Sequence, residues 1–371
     1  MLMADLRRTA LYDLHVAQGA RMVPYAGWEM PVQYPAGLMA EHLHTRQKAG
    51  LFDVGHMGQV VLRGKDVAAA LESLVPADLQ GLAEGRQRYG LLTSDGGGIL
   101  DDLMIANKGD HLYLVVNAAN AAQDVAHLRR LEAQGVTVEV ADRSLLALQG
   151  PEAEAVLSAL IPGVAAMKFM DSRDFVWNGA TVWISRSGYT GEDGFEISVP
   201  HEQAQGFAQA LLDHPQVAPI GLGARDSLRL EAGMPLYGND MDAQTSPAQA
   251  ALGWSIPKVR RRGGAREGGF PGADAILDEL AAGPTVTRRG LRPEGRAPIR
   301  AGVAIHDTDQ GGEPVGRVRS GGFGPSVGGP VAMAELPAGL GEDTPLWAEL
   351  RGKRIPVALT PLPFITPHYK R

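Results

Sequence analysis

Two neighbouring acids set inside an apolar run restrict this chain more than any other feature. Gly96, Gly97 and Gly98 lead into Ile99 and Leu100, Asp101 and Asp102 follow, and Leu103, Met104 and Ile105 close the segment. Apolar, strand-like residues on both sides predict a β-hairpin whose tight turn uses the glycines and whose side chains alternate between two faces. An ionised carboxylate buried without partners costs several kcal/mol, so a chain that keeps two there has a use for one of them. The competing structural reading puts one Asp in solvent and lets the other cap a turn. Two more segments place charge and glycine in apolar surroundings: Ser187-Gly-Tyr-Thr-Gly-Glu-Asp-Gly-Phe-Glu196, and Gly221-Leu-Gly-Ala-Arg225-Asp-Ser-Leu-Arg-Leu-Glu-Ala-Gly233.

At 371 residues the chain exceeds one ordinary hydrophobic core, and two or three domains are expected. With 44% hydrophobic and 21% charged residues it has the composition of a soluble globular protein, and no apolar run approaches the ~20 residues that span a bilayer. No membrane association is expected. The opening residues lack an apolar signal core and a long Arg/Ser-rich leader, which reads as a bacterial-type cytoplasmic protein. Zero cysteines exclude disulfides, thiolate zinc sites and a cysteine nucleophile, so any sulfur chemistry is supplied by a partner. A net charge of -7 argues against nucleic acid. Lys258, Arg260, Arg261, Arg262 and Arg266 run against that balance, as a solvated loop or as a docking site for an acidic partner.

Helical spacing at Leu38, Met39 and Leu43 is followed by a strand over residues 52–62, a helix over 66–74, two or three antiparallel strands from Tyr89 to Asn117, and a helix over 118–134. A second pass starts at Leu145. Strands and short helices without regular alternation predict an α+β fold, and short strands between Gly/Pro turns beyond residue 295 predict a small C-terminal β-barrel or sandwich. The expected division is a discontinuous first α+β domain (1–50 with 142–262), a second α+β domain (51–141), a Gly/Arg/Pro-rich linker (263–295) and the barrel (296–371).

The ten histidines show no metal-binding spacing, and no metal is expected. There is no G-x-S-x-G elbow, no phosphate loop and no dinucleotide fingerprint. Lone carboxylates and Arg225 remain. A carboxylate between apolar walls can accept two N–H bonds from a heterocyclic amide-amidine edge, and an arginine suits a carboxylate tail or positions the acid. A pterin with a glutamate tail asks for both.

The chain resembles the aminomethyltransferase (T-protein) family of the glycine cleavage system nearly end to end. The ordered series GWEMPVQY, FDVGHM, GGGILDD, LVVNA, LQGP, GYTGEDGFE, GLGARDSLRLEAG and MPLYGNDMD, with Pro363-Phe364 near the end, carries the resemblance. It implies a three-domain cloverleaf with antiparallel sheets, a small C-terminal barrel and a central folate channel. It also implies transfer of the aminomethyl-derived one-carbon unit from the lipoyl arm of H-protein to tetrahydrofolate, giving 5,10-methylenetetrahydrofolate, ammonia and dihydrolipoyl carrier. By the same resemblance Asp101 is the expected catalytic carboxylate, Glu196 is expected on the pterin edge, and Arg225 and Tyr369 are expected at the folate. Tyr89 and Asn117 sit where the family lines its channel. The alternative is a stand-alone folate-binding protein of the same superfamily, either like the folate domains of dimethylglycine and sarcosine dehydrogenases or an iron–sulfur assembly factor. The first normally follows a flavin domain and the second carries a cysteine motif; this chain has neither.

Overall fold

Three large sheets organise the computed structural model, which describes residues 6–371, and the two-stranded ribbon Arg21–Tyr25 with Trp28–Gln33 is a fourth. The first has six strands in the order Ser172–Trp177, Ala180–Ser185, Gly194–Pro200, Arg143–Gln149, Ala49–Asp53 and Val217–Ile220. All its pairings are antiparallel except the last, which is parallel. The helix His201–Leu212 buries Ala204, Phe207, Ala208 and Leu211, the i, i+3, i+4, i+7 stripe of a helix with one apolar face, in the core of this sheet.

The second sheet runs Arg86–Thr93, Ile99–Asn107, Leu112–Val116, Gly58–Arg63, Thr137–Val140. Its residues all fall between two strands of the first sheet, Ala49–Asp53 and Arg143–Gln149. The single strand expected over 52–62 is therefore two strands in different sheets. The backbone turns between them, with Val54 N–H donating to Leu145 O and Met57 N–H to Val54 O. Residues 51–53, expected in the second domain, belong to the first sheet. One apolar cluster joins the two sheets: Phe52, Leu145, Ala147 and Leu228 meet Val61, Tyr113 and Val115, with Met104 and Trp183 packed against them.

The third sheet is a closed six-stranded barrel, Val286–Pro293, Gly329–Pro337, Gly316–Gly324, Ala304–His306, Leu346–Leu350 and Lys353–Thr360. Closure removes the sheet edges. The stretch 263–295 is not a bare linker: it holds the helix Ala273–Ala282, and Val286–Pro293 is a barrel strand. Glycine and proline density signalled a loop there, while tertiary pairing set the outcome. No helix among the described residues is long and apolar enough to cross a membrane.

Candidate active site

The glycines before Ile99 are needed for close approach. A Cβ on Gly98 would lie 1.8 Å from Ala243 O, and Gly97 holds φ +88°. The loop at 243–245 crosses the hairpin turn at this point, and Ile99 N–H donates to Thr245 O at 3.0 Å. Leu92 pairs with Asp101 and Thr93 with Ile99, so Leu100 is the extra residue of a β-bulge. Bulges beside sites re-aim the side chains that follow them.

Beyond the bulge the two acids part. Asp101 points the same way as Leu103 and Ile105, toward the core on which Leu100 also packs, and is 0% exposed, whereas Asp102 is half-buried and points the same way as Met104, on the face that meets the first sheet. Asn117, one residue past the end of the neighbouring strand, holds both. Its Nδ2 donates to Asp101 Oδ1 at 2.8 Å and to Asp102 Oδ1 at 2.9 Å, and lies 3.2 Å from Asp102 O. The reading with one Asp in solvent and one capping a turn is thereby corrected. Burial first, and the Asp101 charge second, push the Asp102 carboxyl up to about 7. Behind Asp101 stands Asp124, on the helix Ala121–Leu128 and 1% exposed. Burial and its contact with Asp101 push its carboxyl up to about 9. Both raised values reflect burial and neighbouring acids, with no cation among their causes.

Three tyrosines border the acids. Tyr89 stacks on Trp254 with centroids 5.4 Å apart, and its shielded hydroxyl faces Asp102 without a well-aligned hydrogen bond. Burial, then Asp102, raises its proton affinity. Tyr237 donates to Ile99 O at 3.2 Å and is pushed up to about 12 by burial and then Asp101. Tyr189 donates to Pro235 O and carries the Arg225 guanidinium 4.9 Å from its ring centroid. Tyr189 and Tyr237 were not singled out from sequence, although GYTGEDG and MPLYGNDMD contain them. Asp124 left no signal at all, being one acid on an amphipathic helix.

Of the acids in GYTGEDGFE, two are spent on structure. Glu192 pairs with Arg46 at 2.9 Å and Asp193 with Arg186. Glu196 has no such cation; Ser187 Oγ donates to its Oε2 at 2.7 Å. Gly188 is required here, because a Cβ on it would sit 1.8 Å from Gln149 Oε1. Near Arg225, His56 is held neutral, pushed down to about 4 chiefly by burial, with Asp53 opposing and Arg225 adding to the shift.

The six sequence-selected residues thus divide. Asp101, Asn117 and Tyr89 gather around Asp102, Arg225 joins them through Tyr189, and Glu196 lies on the adjoining first sheet beside Tyr113. Tyr369 instead stacks on Phe169 with centroids 4.2 Å apart. The C-terminal tail that carries it docks on the GYTGEDG turn, where His368 N–H donates to Gly191 O at 2.9 Å. A cavity of about 520 Å³ at the barrel junction is lined by Trp254, Gly233, Arg288 and Pro363 among others, and Trp254 in turn stacks on Tyr89. The basic cluster is largely self-neutralised. Arg260 and Arg266 both hold Glu72, at 2.9 and 3.1 Å, and Arg262 pairs with Glu267, Asp274 and Asp278.

Comparison with known proteins decides the family. The GCVT N-terminal domain matches residues 11–260, and the glycine cleavage T-protein C-terminal barrel domain matches 287–365. The chain belongs to the glycine cleavage T-protein family of aminomethyltransferases. The mitochondrial aminomethyltransferase of Dictyostelium discoideum is 43% identical, covering 99% of this chain and 94% of its own length. That of Pisum sativum is 44% identical, covering 99% and 91%. The crystal structure of the glycine cleavage system aminomethyltransferase T from Bartonella henselae superposes with a TM-score of 0.92 at 44% identity, covering 99% of this chain and 100% of that one. The T-protein family resemblance, the mixed fold with its C-terminal barrel and the transferase activity therefore stand. Nothing favours the stand-alone folate-binding alternative. The cytoplasmic reading is corrected: the curated relatives from Dictyostelium, Flaveria and Pisum are named mitochondrial, which points away from that location.

Proposed function

We propose that this aminomethyltransferase moves the one-carbon unit from an aminomethyl group on the lipoyl arm of H-protein to tetrahydrofolate, at the face shared by Asp102, Tyr89, Arg225 and Glu196. Tetrahydrofolate supplies two nitrogens that together accept the carbon, the carrier sulfur leaves as a thiol and the amine leaves as ammonia. One carbon moves, and no oxidant or reductant is consumed.

The observation that carries this reading is a half-buried carboxylate without a cation, poised near neutral pH between aromatic walls. General acid–base groups work best when their proton affinity matches the working pH, and contribute typically 10²–10⁴-fold. Asp102, rather than the expected Asp101, takes the acid–base role in this proposal. Asp101 is closed off at 0% exposure, while Asp102 opens toward the other sheet. Ionised, Asp102 stabilises a cationic one-carbon centre and accepts the proton of an attacking N–H. Asn117 becomes the clamp that holds the acids. Glu196, with Ser187 fixing one oxygen, is suited to read a paired N–H edge, and Arg225, over the Tyr189 ring, to hold a carboxylate. Tyr369 braces the C-terminal tail against Phe169 beside this region.

The test is ammonia release from aminomethyl-loaded H-protein, with and without tetrahydrofolate. Fast release only with tetrahydrofolate, and coupled one-to-one to methylenetetrahydrofolate, is the expected result. Release that is indifferent to the folate overturns the reading.

A further inference from the structure

Three acids cluster where the helix Ala121–Leu128 packs on the second sheet, and the two deeper ones share a geometry that none of the site's expected roles uses. Asp101 Oδ2 and both carboxyl oxygens of Asp124 are shielded from solvent, and no N–H or O–H in the protein donates to any of them. After burial, Asp101 is the group that raises the Asp124 carboxyl most, which sets the two acids side by side. Two carboxylates cannot stay in such contact in a dry interior; one proton between them turns repulsion into a charge-assisted O–H···O bond. The groups facing Asp124 offer no other remedy. From the hairpin strand they are Asp101 and Asp102, and from the loop above it Tyr237; His127 on its own helix lies beside Asp95 and Arg130 and is itself held down by burial. The cluster does not have the arrangement of a metal site.

We propose that Asp124 is a positioning residue that stays protonated and donates its proton to Asp101 Oδ2, so that the buried pair carries one negative charge fixed directly behind Asp102. The chain of contacts is continuous. Asp124 O–H holds Asp101 Oδ2, Asn117 Nδ2 donates to Asp101 Oδ1, and the same Nδ2 donates to Asp102 Oδ1. The single charge of the pair makes Asp102 hold its proton more tightly than an ordinary carboxyl. Without the pair, Asp102 is too weak a base at neutral pH for the role proposed above, on which this inference rests.

Two measurements test it. Carboxyl ¹³C NMR of protein labelled at aspartate Cγ reads the pair without reference to activity. One buried aspartic acid should remain protonated at pH 7, its signal should vanish in Asp124→Asn, and Asp102 should titrate at lower pH in Asp101→Asn. The acid limb of the kcat profile reads the consequence. It should move down by about one pH unit in Asp101→Asn, which removes the charge, and in Asp124→Leu, where a buried Asp101 left without a donor takes up the proton and the charge is lost with it. Asp124→Asn keeps an N–H donor at the same place; it should leave the acid limb within a few tenths of a unit and lower kcat no more than about threefold. A wild-type spectrum with no protonated buried aspartate at pH 7 overturns the proposal whatever the kinetics show. So does a folded Asp124→Leu whose acid limb matches wild type. Inactivity confined to Asp102 variants, with an unmoved spectrum, would preserve the functional reading and remove the pair from it.

Discussion

Two buried groups of charge lie close together in this molecule and are built on opposite rules. Around the GYTGEDG turn and the helix Leu222–Glu231, acids meet bases. Arg46 bridges Glu192 and Glu231 at 2.9 and 3.2 Å, His42 holds Glu231 at 3.0 Å, and Arg229 holds Asp240 at 2.8 Å, with Ser320 of the barrel donating to the same Asp240. These contacts tie the central segments to the barrel and use almost every polar atom they contain. Around Asp101, Asp102 and Asp124 the acids meet only amides, hydroxyls and one another. Matched charge locks a fold; unmatched charge is held ready for a ligand or a proton.

The first way to break this contrast is to unmatch a matched pair. Arg229→Met strands Asp240, which is 4% exposed, and removing one partner of a buried ion pair costs about 3–5 kcal/mol. Denaturant unfolding should show that loss in full, with m unchanged. A loss under 1 kcal/mol would mean the pair does not lock the central segments to the barrel.

The converse change, at an acid with no cation, should leave the fold intact and cost binding. Glu196→Gln replaces an acceptor oxygen with a donor, and one charged hydrogen bond lost costs about 1.5–3 kcal/mol, a rise of about tenfold or more in the folate dissociation constant. Calorimetric titration with a reduced folate at an unchanged melting temperature checks it. Equal affinities would return Glu196 to a structural role beside Ser187.

A smaller effect sharpens the comparison through pH. Asp124 holds its proton in the folded state up to about 9, while an unfolded aspartate releases it near 3.9. Between those values the native state binds the extra proton, so folding stability falls as pH rises. Asp124→Asn removes that loss. Its melting temperature should rise relative to wild type by a growing margin from pH 5 to pH 9, and a margin independent of pH would show that Asp124 is ionised throughout. Smallest of all is Arg262→Ala, at a residue 42% exposed and paired only with surface acids. Its effect on unfolding should be the smallest of the set, because exposed ion pairs are screened by solvent and salt. The KM for H-protein should not move, because the paired arginines offer little free charge for docking.

Much of this contrast was legible in the chain before folding. The glycine-flanked acids marked the hairpin, and short strands between Gly/Pro turns marked the C-terminal barrel. What the sequence hid was direction. A bulge at Leu100, invisible as a pattern, decides which acid faces inward, and that turned attention from Asp101 to Asp102. Asp124 is more than twenty residues away in sequence and meets Asp101 only when the helix packs on the sheet. The basic run read as a solvated loop or docking site because the partners of Arg260 and Arg266, Glu72 and Asp78, come from another part of the chain.

The central claim is that Asp102 does the acid–base chemistry and Asp101 stands behind it. Methylenetetrahydrofolate formation by Asp102→Asn and Asp101→Asn, measured across pH at matched melting temperatures, tests it directly. Asp102→Asn should lose on the order of 10²-fold or more in kcat and its acid limb with it. Asp101→Asn should keep an acid limb, displaced to lower pH, and lose less. A folded Asp102→Asn that turns over like wild type, or an Asp101→Asn that is the more damaged of the two, would contradict the account.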